Sequence, residues 1–298
     1  MVVSPARAGR TLRLATRGSA QATAQATAVA DALMAAHPNL TVTLVFVETL
    51  GDQRADAPLH TIGGQGVFVK EVQRAVLDGA ADLAAHSAKD LPSTEADGLL
   101  LAAFCERRDP RDALIGASLE QLRHGATVAT GSVRRRAQLT AVRPDLRFVE
   151  LRGNIHSRLS KLPVEGALVM AVAALQILQL TDRIAEALPV ERFVPSPGQG
   201  CVAIECRSDD LEVAGLLTAV DHPATRAAVQ AERAFLAELG SGCSLPVGAY
   251  AVGDVLTGFL ADPSTNLHVT KSLTLHGSRD GRRAQAAGLA RALQAEIG

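Results

Sequence analysis

Strand-like and helix-like segments alternate along most of this chain, and that alternation limits the folds open to it more than any other feature. Residues 11–16 (TLRLAT) alternate with a two-residue period and hand over at Arg17-Gly18-Ser19 to an Ala-rich segment reaching about Ala36, with Ser19 placed to cap a helix there. Residues 40–48 (LTVTLVFVE) read as a β-branched strand. Residues 66–79 put Val67, Val69, Val72, Val76 and Leu77 at mostly helical spacing, and 81–87 (ADLAAHS) read as a short buried strand ending in the polar turn AKDLPS. A second series follows. It runs strand 126–130 (ATVAT), a helix opened by Gly131-Ser132, strand 147–151 (RFVEL), a turn at Arg152-Gly153-Asn154, the helix IHSRLSKL, and a strand running into a helix over 166–175. This alternation predicts an α/β fold with mainly parallel sheets and helices on both faces. Ligands of such sheets collect at the carboxyl ends of strands, beside helix N-termini, and Arg17, Lys89, Arg134 and Arg152 each closely follow a strand.

The run Gly131–Leu139 (GSVRRRAQL) places three guanidinium groups side by side in a chain of formal net charge -1. Adjacent cations repel, so the run asks for an anion. Of the 30 Lys and Arg residues only Lys70, Lys89, Lys161 and Lys271 are lysine, and arginine is the residue suited to two-pronged contact with carboxylate or phosphate. Near-neutral charge, 3% aromatics and no Trp oppose a nucleic-acid binder, which would carry a basic face or stacking platforms. The four cysteines (Cys105, Cys201, Cys206, Cys243) form no CxxC pair and no metal pattern with histidine, which fits a reducing, cytoplasmic compartment. The N-terminus has arginines with no apolar run behind them, so no secretory signal is read, and no stretch is apolar enough to span a membrane. Residues 224–239 form an amphipathic helix closed by Gly240-Ser241-Gly242. Cys243 follows in a loop, then weak strand-like segments, then a closing helix over roughly 283–297.

Nine segments in order (LATRGSA, GGQGVFVKE, AAHSAKDLPS, CERRDPRDAL, ATGSVRRRAQL, RPDL, LRGNIHSRLSKL, PGQGCVAIECR and GSGCSLPVG) resemble the hydroxymethylbilane synthase, or porphobilinogen deaminase, family over nearly the whole length. The resemblance implies three α/β domains. Domain 1 covers 9–105 with 201–222, domain 2 covers 106–200, and domain 3 covers 223–298. The first two are similar lobes of the type II periplasmic-binding-protein kind with a cleft between them, and the third is a smaller α/β domain. The implied activity is head-to-tail condensation of four porphobilinogen molecules with release of four ammonias, in haem and porphyrin biosynthesis, by a monomeric cytoplasmic transferase without metal. The implied cofactor is a dipyrromethane held covalently by a thioether to Cys243.

Carried onto the matching positions, Asp90 is the catalytic carboxylate. Arg17, Ser19, Ser87, Lys89, Thr130, Ser132, Arg134, Arg135, Arg152, Gly153, Arg158 and Gln199 are the binders of cofactor and substrate. Arg136 falls where the family does not require Arg and reads as solvated. The chain departs from the family pattern at Gln65, Ala88 and Gly131, and at Ile177, where a substrate-binding Arg is usual. A rival reading is a catalytically impaired relative, or a non-catalytic two-lobed anion-binding module.

Overall fold

The computed structural model describes residues 9–49, 66, 69–240, 245–265 and 267–297. Cys243, Gln65 and the first apolar positions of the 66–79 segment, Val67 and Phe68, lie outside the described residues.

Two five-stranded sheets carry the first two lobes. The first is ordered β2-β1-β3-β10-β4, from β1 (Arg10–Arg17), β2 (Leu40–Val47), β3 (Leu83–Ser87), β4 (Leu99–Phe104) and β10 (Val202–Arg207). The second is ordered β7-β6-β8-β5-β9, from β5 (Asp112–Ile115), β6 (Thr127–Ala129), β7 (Arg147–Val149), β8 (Ala167–Ala171) and β9 (Ile184–Ala187). In each sheet four strands run one way and the fourth in order, β10 or β5, runs against both neighbours. The reversed strand is in each case the one delivered from the other lobe. The crossing chain enters at the carboxyl ends of the parallel strands, so it can only run back down the sheet.

Helices form where the apolar spacing suits one face. Helix α1 (Ala20–Ala36) buries Ala26, Val29, Ala30 and Leu33, a single stripe, against β1 and β2, and Ser19 caps it by accepting the Ala22 N–H at 3.3 Å. Helix α2 (Lys70–Leu77) follows in the first lobe. Helix α3 (Val133–Val142) carries the arginine run, and Ser132 caps it by accepting the Arg135 N–H at 3.4 Å. Because successive residues turn by about 100°, Arg134 faces inward with Gln138 while Arg136 points out and lies over the Phe148 ring at 5.8 Å. Helices α4 (Ile155–Leu159), α5 (Val172–Ile177) and α6 (Leu211–Leu217) complete the lobes.

The chain passes between lobes twice, along 105–111 and back along 188–201, and the two passages are tied together. Cys105 N–H donates to the Val202 carbonyl at 2.9 Å and Arg108 N–H to the Gly200 carbonyl at 3.0 Å. Gly200 adopts φ 89, and a Cβ there would stand 2.6 Å from the Arg108 carbonyl oxygen, so only glycine fits this close approach.

The third unit is an antiparallel sheet of β11 (Val247–Val252), β12 (Val255–Ala261) and β13 (His268–Thr274), packed on helices α7 (Pro223–Glu238) and α8 (Arg279–Ile297) around Phe235, Leu256, Leu260 and Leu293. Glu232, 0% exposed, joins all three units. It takes two N–H groups of Arg107 at 2.5 and 3.1 Å, the Gly198 N–H at 2.7 Å and the Ala251 N–H at 2.8 Å. Arg107 also donates to the Gln199 carbonyl at 2.8 Å and lies 5.0 Å over the Tyr250 ring.

Candidate functional site

The residues singled out from the sequence gather at the carboxyl ends of the parallel strands. Arg17 ends β1, and Ser87 ends β3 and leads into a tight 3-10 turn, Ala88–Asp90. Thr130 follows β6, Ser132 opens α3, and Arg152 and Gly153 follow β7. Arg158 lies in the short helix α4.

Their electrostatics show that the two lobes bring them together. Burial, and then the nearby Arg135, push the Lys89 ammonium down to about 8, against the opposing pull of Asp90 and Asp112. Burial and Arg135 likewise lower the Arg158 guanidinium to about 10, with Arg152 and Arg17 adding to the effect and Asp90 opposing it. Lys89, Arg17 and Asp90 belong to the first lobe, and Arg135, Arg152 and Arg158 to the second. Asp90 makes no hydrogen bond or ion pair with another described residue, and it acts electrostatically on Lys89 and Arg158.

Several predicted binders have internal work. Ser19 and Ser132 are helix caps. The Thr130 hydroxyl accepts the Ser132 N–H at 3.2 Å. Ser87 donates to Gln25 at 3.1 Å, locking β3 to α1. Gly153 adopts φ 110 and gives its carbonyl to Arg158 Nε at 2.7 Å, which aims that guanidinium. Gln199 is buried and bridges the lobes: its Oε1 accepts from Lys89 Nζ at 3.3 Å, and its Nε2 donates to the Pro110 carbonyl at 2.7 Å and to Asp112 Oδ1 at 2.9 Å.

Asp112 is the residue the sequence reasoning missed. It is 1% exposed, and Arg134, Arg135 and Gln199 all converge on it. Burial alone would push its carboxyl up, but Arg134 and Arg135 more than offset that and hold it well below the usual carboxylate range. Arg134 is 4% exposed and also donates to the Val194 carbonyl at 2.8 Å, so the inner member of the expected clamp is engaged within the protein, and Arg135 is the more exposed of the two. A signal for Asp112 was available: a charged residue opens the otherwise apolar strand DALI, which is buried throughout.

Ile177 ends helix α5 and brings no charge to the cluster. Of the described cysteines, Cys201 and Cys206 are buried and Cys105 is half-buried, and burial pushes the thiols of Cys105 and Cys206 up to about 11.

Two similar lobes joined by a double crossing, with cations from both near Asp90, whose carboxylate has no hydrogen-bond or ion-pair partner among the described residues, define a two-lobed α/β protein with a charged cluster at its strand ends. Comparison with known proteins gives the family. The family described as "Porphobilinogen deaminase, dipyromethane cofactor binding domain" matches residues 12–215, and "Porphobilinogen deaminase, C-terminal domain" matches residues 226–292. A porphobilinogen deaminase of Roseiflexus castenholzii is 45% identical over 297 residues, spanning 96% of this chain and 95% of the relative. One from Acidothermus cellulolyticus is 45% identical over 285 residues, spanning 91% and 86%. This chain belongs to the porphobilinogen deaminase family. Among solved structures it is similar to the methionine-binding protein MetQ, at a TM-score of 0.45 and 14% identity over 72% of this chain and 92% of that one. Similar too is a nutrient-binding protein from Burkholderia cenocepacia bound to methionine, at 0.44 and 14% over 72% and 93%.

Proposed function

We propose that this chain is a hydroxymethylbilane synthase, a transferase that joins four porphobilinogen molecules head to tail on a dipyrromethane cofactor, releases four ammonias, and then frees the linear tetrapyrrole by hydrolysis. The observation that carries the reading is the set of cations from two lobes around Asp90, a carboxylate with no hydrogen-bonding or ion-pairing partner among the described residues.

The residues fit a group bearing several carboxylates. Lys89 and Arg158 are held below their ordinary values by burial and by neighbouring cations, and an arriving anion relieves that surplus positive potential. When bound, the dipyrromethane supplies the ring carbon on which the chain grows. Arg17, Lys89, Arg135, Arg152 and Arg158 hold the carboxylate arms. Asp90 serves the reacting centre. Loss of ammonia from porphobilinogen breaks a C–N bond and leaves positive charge on the pyrrole, and a fixed carboxylate beside it stabilises that charge as it develops. Once the ring carbon has attacked that cation and formed the new C–C bond, the same carboxylate can accept the proton this carbon loses and pass it to solvent. The thioether is assigned to Cys243. The raised thiols of Cys105 and Cys206 support this, since neither is a ready nucleophile. The free thiols of the described cysteines also support a reducing, cytoplasmic setting.

Intact-mass measurement tests the reading. The protein carries an addition of two linked pyrroles that is absent from Cys243→Ala, and porphobilinogen adds further single pyrroles stepwise. Asp90→Ala keeps its melting temperature and its mass addition but loses nearly all turnover. Full turnover in that variant removes Asp90 from the chemistry.

A further inference from the structure

We propose that Asp112 is a positioning residue that competes with the ligand's carboxylates for Arg135, and so weakens the grip enough for a growing chain to be passed along the cleft. The proposal rests on the reading above for the identity of the ligand, while its geometry stands by itself.

Arginine holds a carboxylate best side-on, through two parallel N–H bonds from one edge of the guanidinium. In Arg135 the Nε–Nη2 edge is already occupied: Nε donates to Asp112 Oδ1 at 3.0 Å and Nη2 to the same oxygen at 2.7 Å. Nη1 gives a proton to the Val169 carbonyl at 3.0 Å. Three of the five N–H donors are therefore used within the protein, and a ligand meets only what remains at the tip. The competing carboxylate does not swing away readily. Its Oδ1 also accepts from Gln199 at 2.9 Å, and its Oδ2 faces Arg134 Nη1 at 2.8 Å. Nor is Arg135 sealed off: its side chain keeps 11% exposure, against 5% for Arg134, and it acts electrostatically on both Lys89 and Arg158.

A site that lengthens a polycarboxylate one unit at a time has a conflicting requirement. It must hold each carboxylate, yet release it to the next position in every cycle. Uniformly tight binding lowers KM and slows passage. A buried carboxylate that permanently takes the better edge of the arginine gives the ligand a weaker, end-on contact that exchanges.

The test compares wild type, Asp112→Asn and Asp112→Glu, each purified with its pyrrole group attached. With porphobilinogen, Asp112→Asn is expected to lower KM by about ten-fold, the worth of a charge-assisted hydrogen bond regained by the ligand, and to lower kcat with it. Intact mass then shows partly elongated adducts accumulating. Asp112→Glu restores the competing charge and returns KM toward the wild-type value. A KM that is unchanged or raised in a folded Asp112→Asn protein overturns the proposal. Should that variant not fold, Asp112→Asn with Arg134→Gln removes one buried cation along with the anion and must show the same fall in KM. A rise in KM, or failure of this double variant to fold as well, assigns Asp112 to stability alone. If wild type forms no adduct with porphobilinogen, the functional reading fails instead. Titration calorimetry with succinate still decides the Asp112 question, with about ten-fold tighter binding expected in Asp112→Asn.

Discussion

Lys89 sits among arginines, and its chemistry reports on the whole cluster. Burial and Arg135 lower its ammonium to about 8, so it is charged below that pH and neutral above it. Its help to a carboxylate ligand is therefore present below pH 8 and lost as pH rises through it. In the free enzyme kcat/KM should fall through a step near pH 8, and Lys89→Met should remove the step while lowering kcat/KM at pH 7. The effect on stability has the opposite sign. Below about pH 8 the folded and unfolded chains both hold the proton, and the folded state bears the cost of the buried charge. Between about 8 and the ordinary value of 10.5 the unfolded chain holds more protons, so stability rises with pH in that window. Urea melts across the window should show a smaller rise in Lys89→Met. That a cation stands after β3 was legible in the sequence. That its charge is marginal depends first on burial and then on Arg135, which comes from the other lobe.

At the scale of elements, caps and turns fix where the arginines point. Ser132→Ala removes the cap of α3 and should cost about 1 kcal/mol in a thermal melt. It should also loosen the first turn, where Arg134 and Arg135 sit, and so lower the fraction of protein that carries the pyrrole addition. Gly200→Ala forces a side chain into a backbone of φ 89 with its Cβ 2.6 Å from the Arg108 carbonyl, and should destabilise by about 1–3 kcal/mol. Helices α1 and α7 and strands β1 and β2 follow from apolar period, capping serine and closing glycine, all local signals. Strands β5, β9 and β10 were not read. They are four to six residues long, each carries a charged residue among its apolar ones, and they owe their places to neighbours far away in the chain.

For the whole molecule, the decisive contact is Glu232, which binds the outgoing passage through Arg107, the returning passage through Gly198 and the third sheet through Ala251. Glu232→Gln leaves Arg107 buried without its counter-charge and should cost about 3–5 kcal/mol. The measurement is urea denaturation, where a single wild-type transition should split as the third unit comes loose from the lobes. Local pattern was enough for the α/β class, the alternation that puts cations after strands, and an ordered set of motifs dense enough to name a family, because period, capping and motif order are properties of neighbouring residues. Tertiary packing alone makes one strand in each lobe run backward, turns Arg134 inward beside the more exposed Arg135, and sets Asp112 and Glu232 as anchors. Those outcomes depend on which charges folding brings within a few ångströms of each other, and the partners come from segments far apart in the chain, as Gln199 and Asp112 do.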